Sequence, residues 1–307
     1  MGRLEDLRVV DPVLTTLARG YSNAELVATL LFLIVLVEKE AGKIPQFGKE
    51  AFKIYNTERA IRANSNRISP EGRTTIDFVM DEHDLEYPID YREKNEDIFN
   101  LEEHATNVVT GGISLRLEKK AADLAQDANN YPIGNKITLA GNSQFTDKVN
   151  SDPIGVIDGA KNAVRGKIGK EPNTMVLGPT TFMALKNHPQ LIDKIKYAMK
   201  GVITLDLMKE IFDIPKITVG KAIYASDAGT FTDIWGDNIV LAYVPNTPAE
   251  KRTVYEPSFA YTLRKRGKPE IDKRDENGKL EIVRNTDILI PKIVGAEAGY
   301  LIKDTNA

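Results

Sequence analysis

The sequence has no cysteine, only three histidines and a single tryptophan in 307 residues. Without cysteine there is neither a disulfide nor a thiolate metal site, so packing, hydrogen bonds or association with other copies must stabilise the fold. A net charge of -3 excludes a global basic field that holds nucleic acid by neutralising phosphates. The longest apolar run, Leu26 to Val37, is shorter than the roughly 20 residues that span a bilayer. We therefore expect a chain that is neither exported nor inserted in a membrane, and whose apolar run is a buried strand or helix.

Motifs of catalysis and cofactor binding are missing as well. His83, His104 and His188 are far apart, and none lies in an H-E-x-x-H pattern. The stretch from Gly166 to Lys170 fails as a phosphate loop, because the required first glycine and the Ser or Thr after the lysine are replaced. There is no G-x-S-x-G elbow and no G-x-G-x-x-G after a strand. We predict no catalytic residue, no cofactor site and no metal site, and hence a protein that is not an enzyme.

The charge pattern of residues 49–103 is the most informative local feature. Six basic and three acidic residues lie between Lys49 and Arg73, whereas eleven acidic and two basic residues lie between Asp77 and Glu103. A turn-rich segment, Asn64 to Gly72, separates them, which predicts a long β-hairpin whose second arm alternates and is half exposed. Two interpretations stay open: a solvated face, or a projecting loop that meets a neighbouring subunit. The candidate inter-subunit residues of this loop are Arg62, Arg67, Arg73, Asp77, Asp81, Glu82, Asp84 and Glu86.

A long helix is predicted over Ile98 to Ala128, where apolar residues recur at three- and four-residue spacing. Gly111 and Gly112 interrupt it and predict a kink or a close approach, since two interior glycines cost about 2 kcal/mol relative to alanine. The second half is predicted to carry its charges on the outer side. Those charged residues are Arg116, Glu118, Lys119, Lys120 and Asp123.

The rest of the chain divides into an α/β unit and a β-rich end. Helices are predicted over Pro153 to Ile168 and over Leu205 to Phe212, the latter capped by Thr204, with a short strand over Thr174 to Leu177. After residue 250 we predict strands over Thr253–Arg264, Leu280–Val283 and Asp287–Ile302. The late β-hairpin should pair with strands from before residue 153, because nothing else offers its apolar residues a partner. The fold class is therefore α+β.

A basic cluster occupies Arg264, Lys265 and Arg266, with Lys268, Lys273 and Arg274 close by in sequence. It is compatible with phosphate contact, with the solvated end of a hairpin, and with a partner for the acidic arm. Arg264, Lys265 and Arg266 join the candidates for inter-subunit contact.

The order of these parts resembles the major capsid protein fold of tailed phages, the Hong Kong phage capsid fold that encapsulins share. The best local match runs from Asn173–Gly178 into Pro179–Leu185, and continues with Leu205–Phe212 and Ile217–Tyr224. The resemblance covers nearly the whole chain and implies five parts. These are an N-terminal arm (1–48), an extended β-hairpin loop (49–97), a peripheral domain with a long spine helix (98–152), an α/β axial domain (153–250), and returning strands of the peripheral domain (251–307).

The function that the resemblance implies is structural. Copies would assemble as pentamers and hexamers into an icosahedral shell around double-stranded DNA, in the host cytoplasm, and become part of the virion. It also implies a portal, a separate scaffolding protein, since the chain starts at Met1 without a long helical scaffold region, and a possible decoration protein. Some family members crosslink neighbours through a lysine of the extended loop. Residues 54–91 contain no lysine, so we expect a shell that is held noncovalently.

Two alternatives remain. An encapsulin-type nanocompartment that encloses an enzyme has the same fold. An α/β enzyme with a β-hairpin lid would instead show a polar pocket with perturbed carboxylates.

Overall fold

The apolar run near the start of the chain is mostly buried, as the sequence predicts, although Leu36 is 49% exposed. The computed structural model describes residues 23, 25–46, 54–62, 64–67, 75–96, 100–195, 203–226 and 229–307. Within them, the run forms helix α1 (Ala28–Leu31) followed directly by strand β1 (Phe32–Val37). Leu31 and Phe32 are fully buried, and they belong to the larger hydrophobic core of the molecule.

A five-stranded sheet is built around one long strand, β13 (Leu280–Ile293). Strand β13 pairs antiparallel with β11 (Ala260–Lys265), β12 (Glu270–Glu276) and β4 (Asp81–Asp90), and β1 lies parallel to β11. Two strands of this sheet thus come from before residue 153 and three from after residue 250. The predicted pairing of the late hairpin with early strands is confirmed.

Helix α3 (Leu101–Gln126) packs against this sheet and follows the short helix α2 (Tyr91–Glu96). The Asn100 side chain caps α3 by accepting a hydrogen bond from the Glu103 amide at 3.3 Å. The helix continues through Gly111 and Gly112 without a break. A Cβ atom on Gly112 would come within 2.7 Å of Leu85 Cδ1, so the glycine allows a close approach to strand β4. Of the two expectations for the glycine pair, the close approach is confirmed.

A second five-stranded sheet carries the α/β unit. Its strands are, in spatial order, β5 (Lys136–Thr138), β14 (Gly299–Lys303), β10 (Ile239–Ala242), β6 (Thr174–Leu177) and β7 (Lys216–Val219). Its helices are α4 (Pro153–Ile168), α5 (Pro179–Lys186), α6 (Pro189–Ile195) and α7 (Leu205–Phe212). Strands β6 and β10 are buried at every position, which explains their continuous apolar sequences. The predicted cap of α7 is confirmed, since Thr204 Oγ1 accepts from the Leu207 amide at 3.4 Å.

The described structure also contains two two-stranded sheets, and the first corrects a prediction. Strand β2 (Ala41–Pro45) pairs with β3 (Thr75–Val79), and β8 (Ile223–Ala225) pairs with β9 (Phe231–Asp233). The arm from residue 77 onward therefore does not pair with residues 49–73 in the described structure. It pairs with β2 and then, as β4, with β13. Charge alternation shows that a strand is half exposed, but not which strand it meets.

The predicted strand Asp287–Ile302 is also corrected. Strand β13 ends at Ile293, and the chain crosses to the second sheet, where β14 pairs with β10 and β5. The division of the chain into arm, loop, peripheral and axial domains stays a prediction. Among the described residues, no helix is both long and apolar enough to cross a membrane.

Candidate assembly surface

Most carboxylates of the acidic strand β4 have partners within the chain. Asp81 forms an ion pair with Lys120 of α3, and Glu86 pairs with Arg274 of β12 at 3.0 Å. Asp84 accepts a hydrogen bond from Thr286 Oγ1 at 3.1 Å. On β3, Asp77 lies 3.7 Å from Lys43 of β2. Asp77, Asp81 and Glu86 thus each have a basic partner inside the subunit.

Glu82 differs from its neighbours on the strand. It is exposed, and its register partner on β13 is the apolar Ile288. No ion pair of Glu82 is found among the described residues. Among the described residues, Glu82 is thus the acid of β4 with neither an ion pair nor a side-chain hydrogen bond.

The basic cluster is likewise engaged by acids of the same chain. Arg264 pairs with Asp287 at 2.9 Å, Lys265 pairs with Glu40, and Arg266 pairs with Glu38 at 2.5 Å. Of the three interpretations of this cluster, a partner for the acidic arm holds for Arg274, which meets Glu86. Arg264, Lys265 and Arg266 instead meet acids of β13 and of the segment between β1 and β2.

One ion pair of this cluster is buried. Asp287 is only 2% exposed, and burial raises the pKa of its carboxyl even though Arg264 lies beside it. The second carboxylate oxygen of Asp287, Oδ1, has no hydrogen-bond partner in the described structure. An unpaired buried charge costs several kcal/mol, which is roughly the effective penalty for desolvating an ion. Arg264 therefore stabilises the subunit by compensating the charge of Asp287.

A second ion-pair network joins helices α2 and α3 to the edge of the sheet. Lys94 lies 2.6 Å from Glu102 and 2.5 Å from Glu281, and Lys273 also pairs with Glu102. Hydrogen bonds from Lys273 and from Lys94 lower the pKa of Glu102 to about 2.

The segment 54–67, unlike strand β4 and the basic cluster, exposes apolar side chains. Ile54 is 97% exposed and Ile61 is 92% exposed. Asn66 Nδ2 donates to the carbonyl oxygens of Asn56 and Glu58 at 2.8 and 3.0 Å, which closes the segment into a turn. Arg62 and Arg67 are exposed, and neither has an ion pair in the described part of the chain; Arg73 lies outside the described residues. This segment therefore presents two isoleucines and two arginines to whatever lies next to the subunit.

Glu118 was predicted to face solvent, and this prediction is wrong. The side chain is 2% exposed and accepts three hydrogen bonds. The donors are the Val27 amide at 3.0 Å, the Ala28 amide at 2.8 Å and Trp235 Nε1 at 2.7 Å. The sequence did contain a signal for the burial of Glu118. Ala122 and Ala125 follow it by four and seven residues, which places all three on one face of the helix, and both alanines are fully buried.

The three histidines lie in separate places. His188 is buried, with Nε2 3.0 Å from Ser151 Oγ, and its Nδ1 accepts from the Gln190 amide at 3.3 Å. Ser151 Oγ in turn donates to the Asp147 carbonyl oxygen, so this is a closed structural network. His104 packs edge-on against Tyr87. No group of three or more ligating side chains that could hold a metal exists among the described residues.

A cavity of about 590 Å³ lies beside helix α5 and is lined by both apolar and polar side chains, the polar ones being Thr146, Lys148, Thr180, Asn187, Asp233 and Asn306. Phe145, Pro179, Met183 and Ala184 form much of its wall, and none of the histidines contributes to it.

Comparison with known proteins gives consistent matches over the whole chain. The family model described as "Phage major capsid protein E" matches residues 34–282. The major capsid protein of Burkholderia phage BcepMu is 59% identical over 307 residues, which is 100% of both chains. The crystal structure of a phage-related protein from Bordetella bronchiseptica is 36% identical, with a TM-score of 0.77 over 97% of this chain and 98% of the other. The mature capsid of bacteriophage PhiM1 is 13% identical, with a TM-score of 0.54 over 90% and 86% of the two chains, and this likeness supports the fold alone.

Proposed function

Because this chain belongs to the phage major capsid protein E family and forms the shell of a phage, we propose that its copies assemble as pentamers and hexamers into a closed icosahedral particle around double-stranded DNA. The protein is structural and not an enzyme, as its family and its 59% identical relative are. The α+β phage capsid fold agrees with this role.

The exposed segment 54–67 carries the proposal on contacts. Burying an isoleucine side chain is worth roughly 1.5–3 kcal/mol. Ile54 and Ile61 are more than nine-tenths exposed. A second copy that covers both side chains would therefore gain this free energy of burial. The exposed arginines at 62 and 67 would flank this apolar contact.

The charged candidates separate into two groups. Asp77, Asp81, Asp84, Glu86, Arg264, Lys265 and Arg266 have partners within the subunit. Arg62, Arg67, Arg73 and Glu82 are the residues that we propose for contacts between subunits. Loop arginines of one copy and Glu82 of the next would attract each other, and such repeated head-to-tail contacts close into rings. Several weak contacts per subunit together give a strong association, so no single contact has to be strong.

We propose that the shell is held without covalent crosslinks. The absence of lysine from residues 54–91 supports this, because the crosslinks that the family resemblance implies for some members use a lysine of the extended loop. Apolar packing and ion pairs between neighbouring subunits would then provide all of the stability of the particle.

The proposed contents and partners follow from the phage origin. The shell would be assembled in the host cytoplasm with a separate scaffolding protein and a portal, and a decoration protein is a possible addition. A net charge of -3, with the basic cluster 264–266 engaged by acids, supports an inner surface that holds DNA weakly. An encapsulin-type nanocompartment is less well supported, because both the matching family and the full-length relative are phage capsid proteins.

Electron microscopy and denaturing electrophoresis of particles isolated from producing cells test these proposals together. We expect closed shells tens of nanometres across, nuclease-protected double-stranded DNA inside, and one denatured band at 34.1 kDa. A ladder of higher bands would refute the noncovalent shell. An enclosed enzyme instead of DNA would support the encapsulin alternative, and a stable monomer or dimer would refute closure.

A further inference from the structure

Helix α3 contacts both five-stranded sheets of the subunit, the first built around β13 and the second carrying the α/β unit. On the first sheet, Asn285 Nδ2 of β13 donates to Thr110 Oγ1 of the helix at 3.1 Å, and His104 packs edge-on against Tyr87 of β4. The second half of the helix buries alanines in the hydrophobic core that the second sheet shares. The helix therefore connects the two sheets.

The second half of α3 is joined to the second sheet by directional hydrogen bonds. Glu118 Oε1 accepts from Trp235 Nε1 at 2.7 Å. Gln126 Nε2 donates to the Ile234 carbonyl oxygen at 2.9 Å, and Gln126 Oε1 accepts from Asn238 Nδ2 at 2.7 Å. All three partners lie in the segment that runs directly into strand β10 of this sheet.

Glu118 also holds the entry to the first sheet. Its Oε1 atom accepts from the Val27 amide at 3.0 Å, and its Oε2 atom accepts from the Ala28 amide at 2.8 Å. Both amides lie at the start of helix α1, which runs directly into strand β1 of the first sheet. One buried carboxylate therefore ties both sheets to α3. It needs both oxygens as acceptors, which an amide side chain cannot supply.

The indole ring of Trp235 has a fixed position on the second sheet. A Cβ atom on Gly220, directly after strand β7, would lie 2.1 Å from Cδ1 of the ring, so the ring packs on the glycine backbone. A donor that is held in this way fixes the place of its acceptor, Glu118. The rotation of α3 relative to the second sheet is fixed with it.

The apolar contacts between α3 and the second sheet set a distance more than an angle. Ala121, Ala122 and Ala125 are fully buried, and such small side chains let the helix approach closely. Burial of apolar surface is non-directional, whereas a hydrogen bond weakens steeply when its geometry is bent. The alanines therefore stabilise the contact, and the hydrogen bonds select one angle.

We propose that Glu118 and Gln126 are positioning residues that fix the angle between the two sheets of the subunit, and thereby the curvature of the shell. Large apolar side chains are exposed beside both sheets, Val108 beside the first and Phe231 beside the second. When copies meet through both sheets, the angle within each copy sets the rotation between neighbours, and a shell closes only at particular rotations. The effect on curvature rests on the proposed function, whereas the angle within the subunit does not.

Two substitutions break this junction while they keep the length of the side chain. Glu118→Gln replaces an acceptor oxygen by an amide group that faces an N–H donor. Gln126→Met removes both hydrogen bonds of Gln126 to the second sheet. Asp123→Asn is the matched control, because it is also a carboxyl-to-amide change on α3, at a side chain that is 57% exposed.

Because the chain has no cysteine, a pair of spin labels can measure the angle in the unassembled full chain. Asp158→Cys on α4 and Asp275→Cys on β12 place the labels at exposed positions beside the second and the first sheet. Double electron–electron resonance should give the same narrow distance distribution with and without Asp123→Asn. In Glu118→Gln and Gln126→Met, the distribution should shift or widen to at least about twice that width, because further arrangements become populated.

Negative-stain microscopy of the unlabelled variants tests the curvature. The wild type and Asp123→Asn should give closed particles of one diameter. Glu118→Gln and Gln126→Met should give particles of mixed diameter or open sheets. Each comparison uses variants that circular dichroism shows to be folded, and if Glu118→Gln does not fold, Gln126→Met decides by the same criteria.

Wild-type distance distributions in the folded junction variants would overturn the positioning role. A changed distribution together with particles of wild-type diameter would overturn the effect on curvature. Failure of the wild-type chain to close would overturn the proposed function and the effect on curvature with it, whereas the distance measurement would still decide the angle within the subunit.

Discussion

A Cβ atom on Gly178 would lie 1.6 Å from the carbonyl oxygen of Gly236. Gly178 stands between strand β6 and helix α5, where the chain turns beneath the segment after Trp235. Only a residue without a side chain fits there.

Gly178→Ala should therefore destabilise the subunit by about 1–3 kcal/mol or more, because backbone must move to admit the methyl group. Urea denaturation measures the change. The control is Gly159→Ala in α4, where nothing lies within 4 Å of the added Cβ atom. That variant should be more stable by up to about 1 kcal/mol, since alanine favours a helix over glycine. Equal stability of the two variants would contradict the packing argument.

Arg264 and Arg266 should respond differently to the same substitution. Arg264→Gln leaves Asp287 as an uncompensated buried carboxylate, and breaking such a pair costs roughly 3–5 kcal/mol. Arg266→Gln breaks a pair whose side chains are 63% and 72% exposed, which is worth at most about 1 kcal/mol.

The loss in Arg264→Gln should also depend on pH. Burial raises the pKa of Asp287, and removal of the arginine should raise it further. The penalty is therefore present above the pKa of the folded state and shrinks as pH falls and the carboxyl takes up a proton. Denaturation at several pH values checks this; a penalty that grows toward acid pH would contradict it.

Glu102 should contribute to acid unfolding. Its pKa is lowered to about 2 by hydrogen bonds from Lys273 and Lys94, so the folded state favours the charged form. The stabilisation is complete above the ordinary glutamate pKa and is lost as pH falls from there toward 2. Glu102→Gln should flatten this part of the stability profile, whereas Glu103→Gln, at the neighbouring exposed position, should leave it unchanged.

The segment 54–67 should be needed for assembly and not for folding. Ile54→Asp and Ile61→Asp change side chains that are more than nine-tenths exposed, so each should alter the stability of the isolated subunit by no more than about 0.5 kcal/mol. Deletion of residues 60–75 should likewise spare the subunit fold. All three changes should abolish closed particles in sedimentation and microscopy. Unfolding of the isolated subunit after the deletion would count against this assignment.

Local sequence signals correctly predicted those helices and strands whose evidence lies within the element itself. Helix Pro153–Ile168, helix Leu205–Phe212 with its Thr204 cap, and strand Thr174–Leu177 agree with the structure residue for residue. In each case the period, the cap or the continuous apolar run is contained within the element itself. The identity of the fold needed more than any one of these, and came from their order along the chain.

The partners of strands and charges could not be predicted in the same way. A half-exposed strand such as Asp81–Asp90 shows the same alternation whether it meets residue 60 or residue 285. Glu118 has the charge of a surface residue, and only the arrival of Val27, Ala28 and Trp235 from elsewhere in the chain makes its burial possible.

The sequence by itself thus determined that the chain lacks disulfides and catalytic motifs, that it is an α+β protein, and that its parts follow the order of a capsid subunit. Tertiary structure alone decided which of the charged residues form ion pairs within the subunit. The reason is physical: secondary structure depends on residues within a few turns of one another, whereas an ion pair or a buried carboxylate depends on which distant segments the fold brings within about 3 Å.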